Sequence, residues 1–233
     1  HICKIPLIHI SGGEVTLGSL DDNMRHAITK FSDYHFVAIE EFKKRVIQMG
    51  ESSYRVHVVG GMGVDAINNL ELFNLKQTLE KLNIKNKYLP IVLCTYHSVT
   101  AEEKTLYECI EMIKALKRID NVNIIITFPN PDYERNKILN YINQLVNTKE
   151  NVYLYSSLGQ LLYLSVLKYS KCVIGNSSSG ISEAPYFGVK TINIGSRQSG
   201  RPRCPSIADV PGDSEIIFNE INNSLKCDHI SNK

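Results

Sequence analysis

A chain of 233 residues, with 43% hydrophobic and 21% charged residues, has an ordinary globular composition and enough length for one large or two small cores. A formal charge of +2 excludes a strongly basic surface for nucleic acid or a membrane, and no apolar run is long enough to span a bilayer. The six cysteines form no C-x-x-C pair, and Cys94 and Cys172 lie in apolar runs, so buried free thiols, a reducing compartment and a cytoplasmic location are expected, with no signal peptide.

The chain opens on His1 and enters "IPLIHI" (5–10), expected as a buried strand, within a few residues. That opening suggests the remainder of a longer first lobe. "YHFVAI" (34–39), "RVHVVG" (55–60), "PIVLCTY" (90–96), "NVNIIITF" (121–128), "NVYLYS" (151–156), "KCVIG" (171–175) and "KTINIG" (190–195) follow as further strands. Several are continuously apolar, the pattern of strands covered on both faces. Helical periodicity fills the gaps at 21–32, 100–119, 134–146 and 158–170, and Thr100 with Glu103 predicts a capping box. Alternation of this kind predicts parallel sheets flanked by helices. The polar "NIKNKYLP" (83–90) divides the chain into an α/β piece at 1–82, a linker and a more complete α/β domain at 91–233.

Four stretches carry candidate chemistry. In "VIGNSSSGISEAPYFG" (173–188) an apolar strand runs into Ser177, Ser178, Ser179 and Gly180, with a helix expected from about Ile181 to Phe187. Hydroxyls and free N–H groups at a helix start make a cradle for a diphosphate, and Glu183 could accept two ribose hydroxyls. The plainer alternative is helix capping by the serines and dipole compensation by Glu183. Arg197 and Arg201 follow the next strand, where each could meet a phosphate or form a surface ion pair. His97 sits between a strand end and a helix, a place for a general acid or phosphate ligand, although loop histidines are commonly idle. Glu14, Asp21, Asp22, Arg25 and His26 crowd the glycines after the first strand, where they suit acid–base work or a helix N-terminus equally. "GGMG" (60–63) is a tight strand–helix turn rather than a dinucleotide fingerprint, and no metal-ligand spacing is visible.

Taken together, "GGEVTLGSLDDNMRHAITKFSDYHF", "FPNPD" (128–132), "VIGNSSSGISEAP" and "FGVKTINIGSRQSGR" resemble the hydrolysing UDP-N-acetylglucosamine 2-epimerases that feed sialic-acid-type and legionaminic-acid-type sugar synthesis. The likeness runs from about His1 to Val210. It implies two Rossmann-like lobes of the glycosyltransferase B type with the nucleotide sugar between them, the first lobe incomplete by roughly 100 residues. It implies elimination of UDP to a glycal, then hydration to N-acetylmannosamine, with no metal or other cofactor. By the same resemblance Asp21 is a catalytic acid and His97 a catalytic histidine near the departing phosphates. Ser177, Ser178, Ser179, Gly180 and Glu183 hold diphosphate and ribose, Arg197 and Asn130 lie on the nucleotide side, and Asp22 and Arg25 belong to the substrate motif.

One departure stands out. Where many relatives carry glutamate in an H-x-E motif this chain has Ser11, and Glu14 is the substitute expected for the catalytic role. The resemblance further implies a homodimer or tetramer, with no nucleic-acid or membrane partner. Open alternatives are the same chemistry on UDP-2,4-diacetamido-2,4,6-trideoxyglucose, a UDP-sugar glycosyltransferase, and a UDP-sugar-binding fragment without catalysis.

Overall fold

The computed structural model describes residues 4–16, 20–99, 104–131 and 134–227. The chain divides into two compact units, His1–Asn69 with Ser199–Arg201, and Leu70–Gln198 with Pro202–Lys233.

The first unit is a three-stranded parallel sheet in the order β1 (Ile8–Ile10), β2 (Tyr34–Val37), β3 (Val56–Val58). Helix α1 (Leu20–Phe31) connects β1 to β2, α2 (Glu40–Gln48) precedes β3, and α3 (Met62–Asn68) follows the glycine turn expected at 60–63. Val37, Phe42, Val46 and Val56 form its small core. β1 departs from the sequence reading. Only residues 8–10 join the ladder, and Ile8 and Ile10 are 59% and 50% exposed while His9 points inward. Side chains alternate across a strand, so facing the polar His9 inward turns both isoleucines out.

The second unit is a six-stranded, all-parallel sheet in the order β6 (Val152–Tyr155), β5 (Asn123–Thr127), β4 (Ile91–Thr95), β7 (Ser170–Gly175), β8 (Lys190–Ile194), β9 (Ile207–Val210). The order runs outward from β4 in one direction and from β7 in the other, so the winding reverses between them. Helices α4 (Leu75–Lys81), α5 (Thr105–Arg118), α6 (Arg135–Thr148), α7 (Gly159–Tyr169) and α9 (Ser214–Lys226) are long enough to cover the sheet, and α8 (Ser179–Ser182) is a single turn. All residues of β4 and β5 are buried. Val92, Cys94, Ile124, Ile126 and Ile174 pack against Met112 and Leu116 of α5 and Ile217 and Ile221 of α9. Residues 83–90, read as a linker, are tied to this unit. Ile84 is buried, and Asn123 Nδ2 donates to Asn86 O at 2.8 Å and to Leu89 O at 3.2 Å.

Thr100 and Glu103, the expected capping box, lie outside the described residues, as does Cys3. Among the described residues Cys94, Cys109 and Cys172 are buried free thiols, and burial pushes all three up. No helix among these residues is long and apolar enough to cross a membrane.

Candidate functional site

The reversal between β4 and β7 opens a cleft of about 430 Å³ at the carboxyl ends of the second unit's strands. It is lined by Thr95 and His97 after β4, Thr127 and Phe128 after β5, residues 156–160 after β6, and Ser177, Ser179 and Glu183 after β7. Two features hold its floor. Gly175 has φ +129, and a Cβ there would lie 2.0 Å from Thr95 O, so glycine alone lets β7 approach β4 this closely. Just beyond it the buried Asn176 accepts from His97 N at 2.7 Å and donates to His97 O at 2.8 Å. The side chain thus continues the sheet pairing past the strand ends. Asn176 O accepts from Arg197 Nη1 at 3.0 Å and Gln198 Nε2 at 2.8 Å, which ties the loop after β8 to the same point.

His97 is 8% exposed. Burial, and then the Arg197 charge, lower its pKa to about 4, so the imidazole is neutral at ordinary pH. Its Nδ1 accepts from Asn130 N at 3.0 Å, which puts the ring proton on Nε2. A neutral ring with Nε2–H donates a hydrogen bond, and an anion beside it would raise its proton affinity.

The serine segment differs in detail from its sequence reading. The helix begins at Ser179, two residues early, and lasts one turn. A 3₁₀ turn (Ala184–Phe187) follows and closes on Gly188 at φ 68. Pro185 has no N–H and disfavours α geometry in the residue before it, so the expected continuous helix over 181–187 cannot form. Ser178 is exposed and makes no cap hydrogen bond. Gly180 packs against Thr191, where a Cβ would lie 2.7 Å from Cγ2. Ser179 Oγ donates to Glu183 Oε2 at 2.6 Å and accepts from Tyr163 OH at 2.8 Å.

The carboxylates form a separate cluster in the first unit. Asp22 Oδ1 accepts from Thr16 N at 2.8 Å and pairs with Arg25 Nη1 at 3.3 Å, while Asp22 Oδ2 lies 3.5 Å from His26 Nε2. Arg25 also donates to Glu14 O. Arg201, read as a phosphate ligand or an ion-pair partner, pairs with Glu14 Oε2 at 3.2 Å and donates to Thr16 Oγ1 at 3.3 Å. Asp21 is exposed on the first turn of α1. Ser11, at the H-x-E position, has φ 66, an unusual backbone for a non-glycine residue, held by Ser11 N donating to Phe36 O. His9 Nδ1 and Thr29 Oγ1 are 3.0 Å apart behind it.

Of the expected residues, His97, Asn130, Ser177, Ser179, Glu183 and Arg197 therefore gather around the cleft or brace its wall, with Gly180 packed beneath. Glu14, Asp22 and Arg25 gather in the first unit with Asp21 beside them. Asn176 and Tyr163 carry much of the geometry and escaped the sequence reading. The signal for Asn176 was an asparagine directly after an apolar strand ending in glycine; Tyr163 was hidden in an apolar helix. Among the described residues no group of three or more His, Cys, Asp or Glu side chains is placed to hold a metal ion.

The family model described as UDP-N-acetylglucosamine 2-epimerase matches residues 1–233. The chain belongs to the UDP-N-acetylglucosamine 2-epimerase family. It is 42% identical over 211 residues to the GDP/UDP-N,N'-diacetylbacillosamine 2-epimerase (hydrolyzing) of Campylobacter jejuni, which covers 89% of this chain and 54% of that protein. It is 39% identical over 223 residues to polysialic acid biosynthesis protein P7 of Escherichia coli, covering 94% and 56%. The chain thus spans about half the length of the curated relatives it matches. The UDP-GlcNAc 2-epimerase from Neisseria meningitidis bound to UDP-GlcNAc superimposes with a TM-score of 0.76 at 17% identity, covering 95% of this chain and 62% of that one. That likeness fixes the α/β fold class with parallel sheets flanked by helices, the glycosyltransferase B type of such epimerases.

Proposed function

We propose that this chain supplies the UDP-binding unit and part of the acid–base machinery of a hydrolysing UDP-sugar 2-epimerase. The observation that carries the reading is the cleft at the β4–β7 reversal, where Ser177, Ser179, Glu183 and the neutral His97 surround one space. The serine segment holds the diphosphate, Glu183 accepts from the ribose hydroxyls, and His97 Nε2–H donates to a diphosphate oxygen. A donor that is neutral before UDP departs gains proton affinity as negative charge develops on the leaving group, which favours the transition state over the ground state. Arg197 braces the loop and adds positive charge, and Asn130 fixes the His97 tautomer.

Asp21 acts as an acid and Glu14 takes the place of the glutamate absent at Ser11, with Asp22 and Arg25 fixing the shape of the loop around them. Glycal formation removes the carbon 2 proton and expels UDP, and water addition from the other face gives the inverted free sugar. For UDP-N-acetylglucosamine the products are UDP and N-acetylmannosamine.

A second substrate is favoured by one observation. The C. jejuni relative at 42% identity is named for diacetylbacillosamine, which is 2,4-diacetamido-2,4,6-trideoxyglucose. Incubating the protein with each UDP-sugar in deuterated water, followed by proton and phosphorus NMR, tests both. Release of UDP with a free sugar deuterated at carbon 2 is expected, and the faster substrate names the sugar. Asp21→Asn should lower turnover by at least about 100-fold while changing UDP affinity less than about threefold. UDP binding with neither sugar turned over would instead leave a binding unit without catalysis.

A further inference from the structure

A row of three side chains, Tyr163, Ser179 and Glu183, runs along the cleft beside a pair of threonines. Thr127 and Thr95, at the ends of adjacent strands, approach Oγ1 to Oγ1 at 2.6 Å. Tyr163 OH donates to Ser179 Oγ at 2.8 Å, and Ser179 Oγ donates to Glu183 Oε2 at 2.6 Å. All five line the cleft.

The direction of this row is fixed from one end. An ionised carboxylate only accepts, and each hydroxyl has a single proton. Ser179 gives its proton to Glu183, so it receives one from Tyr163. Aligned donors in a low-dielectric setting polarise one another, so the last bond to the carboxylate is the strongest place for the effect to appear. Burial foremost, with the nearby Glu183 charge, pushes the Tyr163 phenol up to about 12, so it remains a donor throughout the neutral range.

The consequence falls on Glu183. Its Oε2 is pinned through Ser179 and keeps one lone pair, while Oε1 keeps both. That bond restricts rotation of the carboxylate about its terminal torsion. Phenylalanine at 163 would fill the same helix position yet leave Ser179 without its donor and free to turn away.

We propose that Tyr163 is a positioning residue which, through Ser179, orients the Glu183 carboxylate towards both ribose hydroxyls and so sets a preference for UDP over 2′-deoxy-UDP. This rests on the reading of the cleft as a UDP site with Glu183 at the ribose. Calorimetric titration of wild type, Tyr163→Phe, Ser179→Ala and the double variant with UDP and 2′-deoxy-UDP tests it. Wild type should prefer UDP by about tenfold, and Tyr163→Phe should cut that preference by about threefold or more. The double variant should match Ser179→Ala, because both changes break one path. A merely structural loss would weaken both ligands equally and leave the ratio unchanged. Ser179→Ala, at a partly exposed position, carries the same test should Tyr163→Phe fail to fold. Wild-type preference retained in both single variants overturns the proposal. Equal wild-type affinity for the two ligands removes the ribose contact itself, and no UDP binding at all overturns the functional reading beneath it.

Discussion

At the scale of single residues, His97 concentrates the electrostatics of the cleft. Asn130 N–H occupies Nδ1, burial disfavours the imidazolium, and the Arg197 charge disfavours it further, which together bring the pKa to about 4. The folded pKa lies below the ordinary value of 6.5, so as pH falls the unfolded chain takes up this proton first. The contribution of His97 to stability is therefore complete above about pH 6.5 and is lost as pH falls to about 4, an effect on the order of 3 kcal/mol. Nitrogen-15 NMR of the ring should show the Nε2–H tautomer and a midpoint near 4, shifting upward when UDP is bound. A midpoint near 6.5 without ligand would contradict the buried, Asn130-bonded geometry. Glu14 belongs to this scale too. Its pairing with Arg201 realises the ion-pair alternative left open for that arginine, but the partner could not be read from positions so far apart in sequence.

At the scale of elements, the cleft exists because two neighbouring strands end together. Gly175 allows β7 to reach Thr95, and Asn176 carries the pairing one residue further through His97. Gly175→Ala combines φ +129 with a Cβ 2.0 Å from a backbone oxygen, and no side-chain motion relieves that clash. A loss of at least about 3 kcal/mol in chemical denaturation is expected, with loss of UDP binding; near-wild-type stability would show that the strand ends are looser than described. The long apolar strands β4, β5, β7 and β8 were legible because both of their faces are covered, so the chain had to be apolar throughout. β9 was not. It is four residues long with only Val210 buried, and the sequence "IADV" carries no periodicity over that length. The one-turn α8 was misjudged for a related reason. Serines and a glycine looked like loop, and the break imposed by Pro185 was given too little weight against the apolar run that follows. The polar segment 83–90 shows the same limit from the other side: its attachment to the sheet runs through Tyr153 and Asn123, contacts invisible to local composition.

At the scale of the whole molecule, the candidate site residues fall into two groups, one in each unit. The second unit is a doubly wound six-stranded sheet carrying the cleft, and the first unit's carboxylates Glu14, Asp21 and Asp22 follow β1 of its three-stranded sheet. The alternation of apolar strands with helices in both units was legible in the sequence. What local sequence could not supply was the side-chain framework of Tyr163, Asn176, Thr95 and Thr127, whose importance comes from meeting across elements distant in the chain. The central claim is that the strand-end cleft of the second unit is a UDP site. Its most direct test is a two-dimensional amide NMR titration of the folded protein with UDP. The account predicts saturable shifts at 95–97, 127–130, 156–160 and 176–183, together with broadening of the UDP phosphorus signals. Unchanged amides across those four segments at millimolar UDP, in a protein that remains folded, would contradict it.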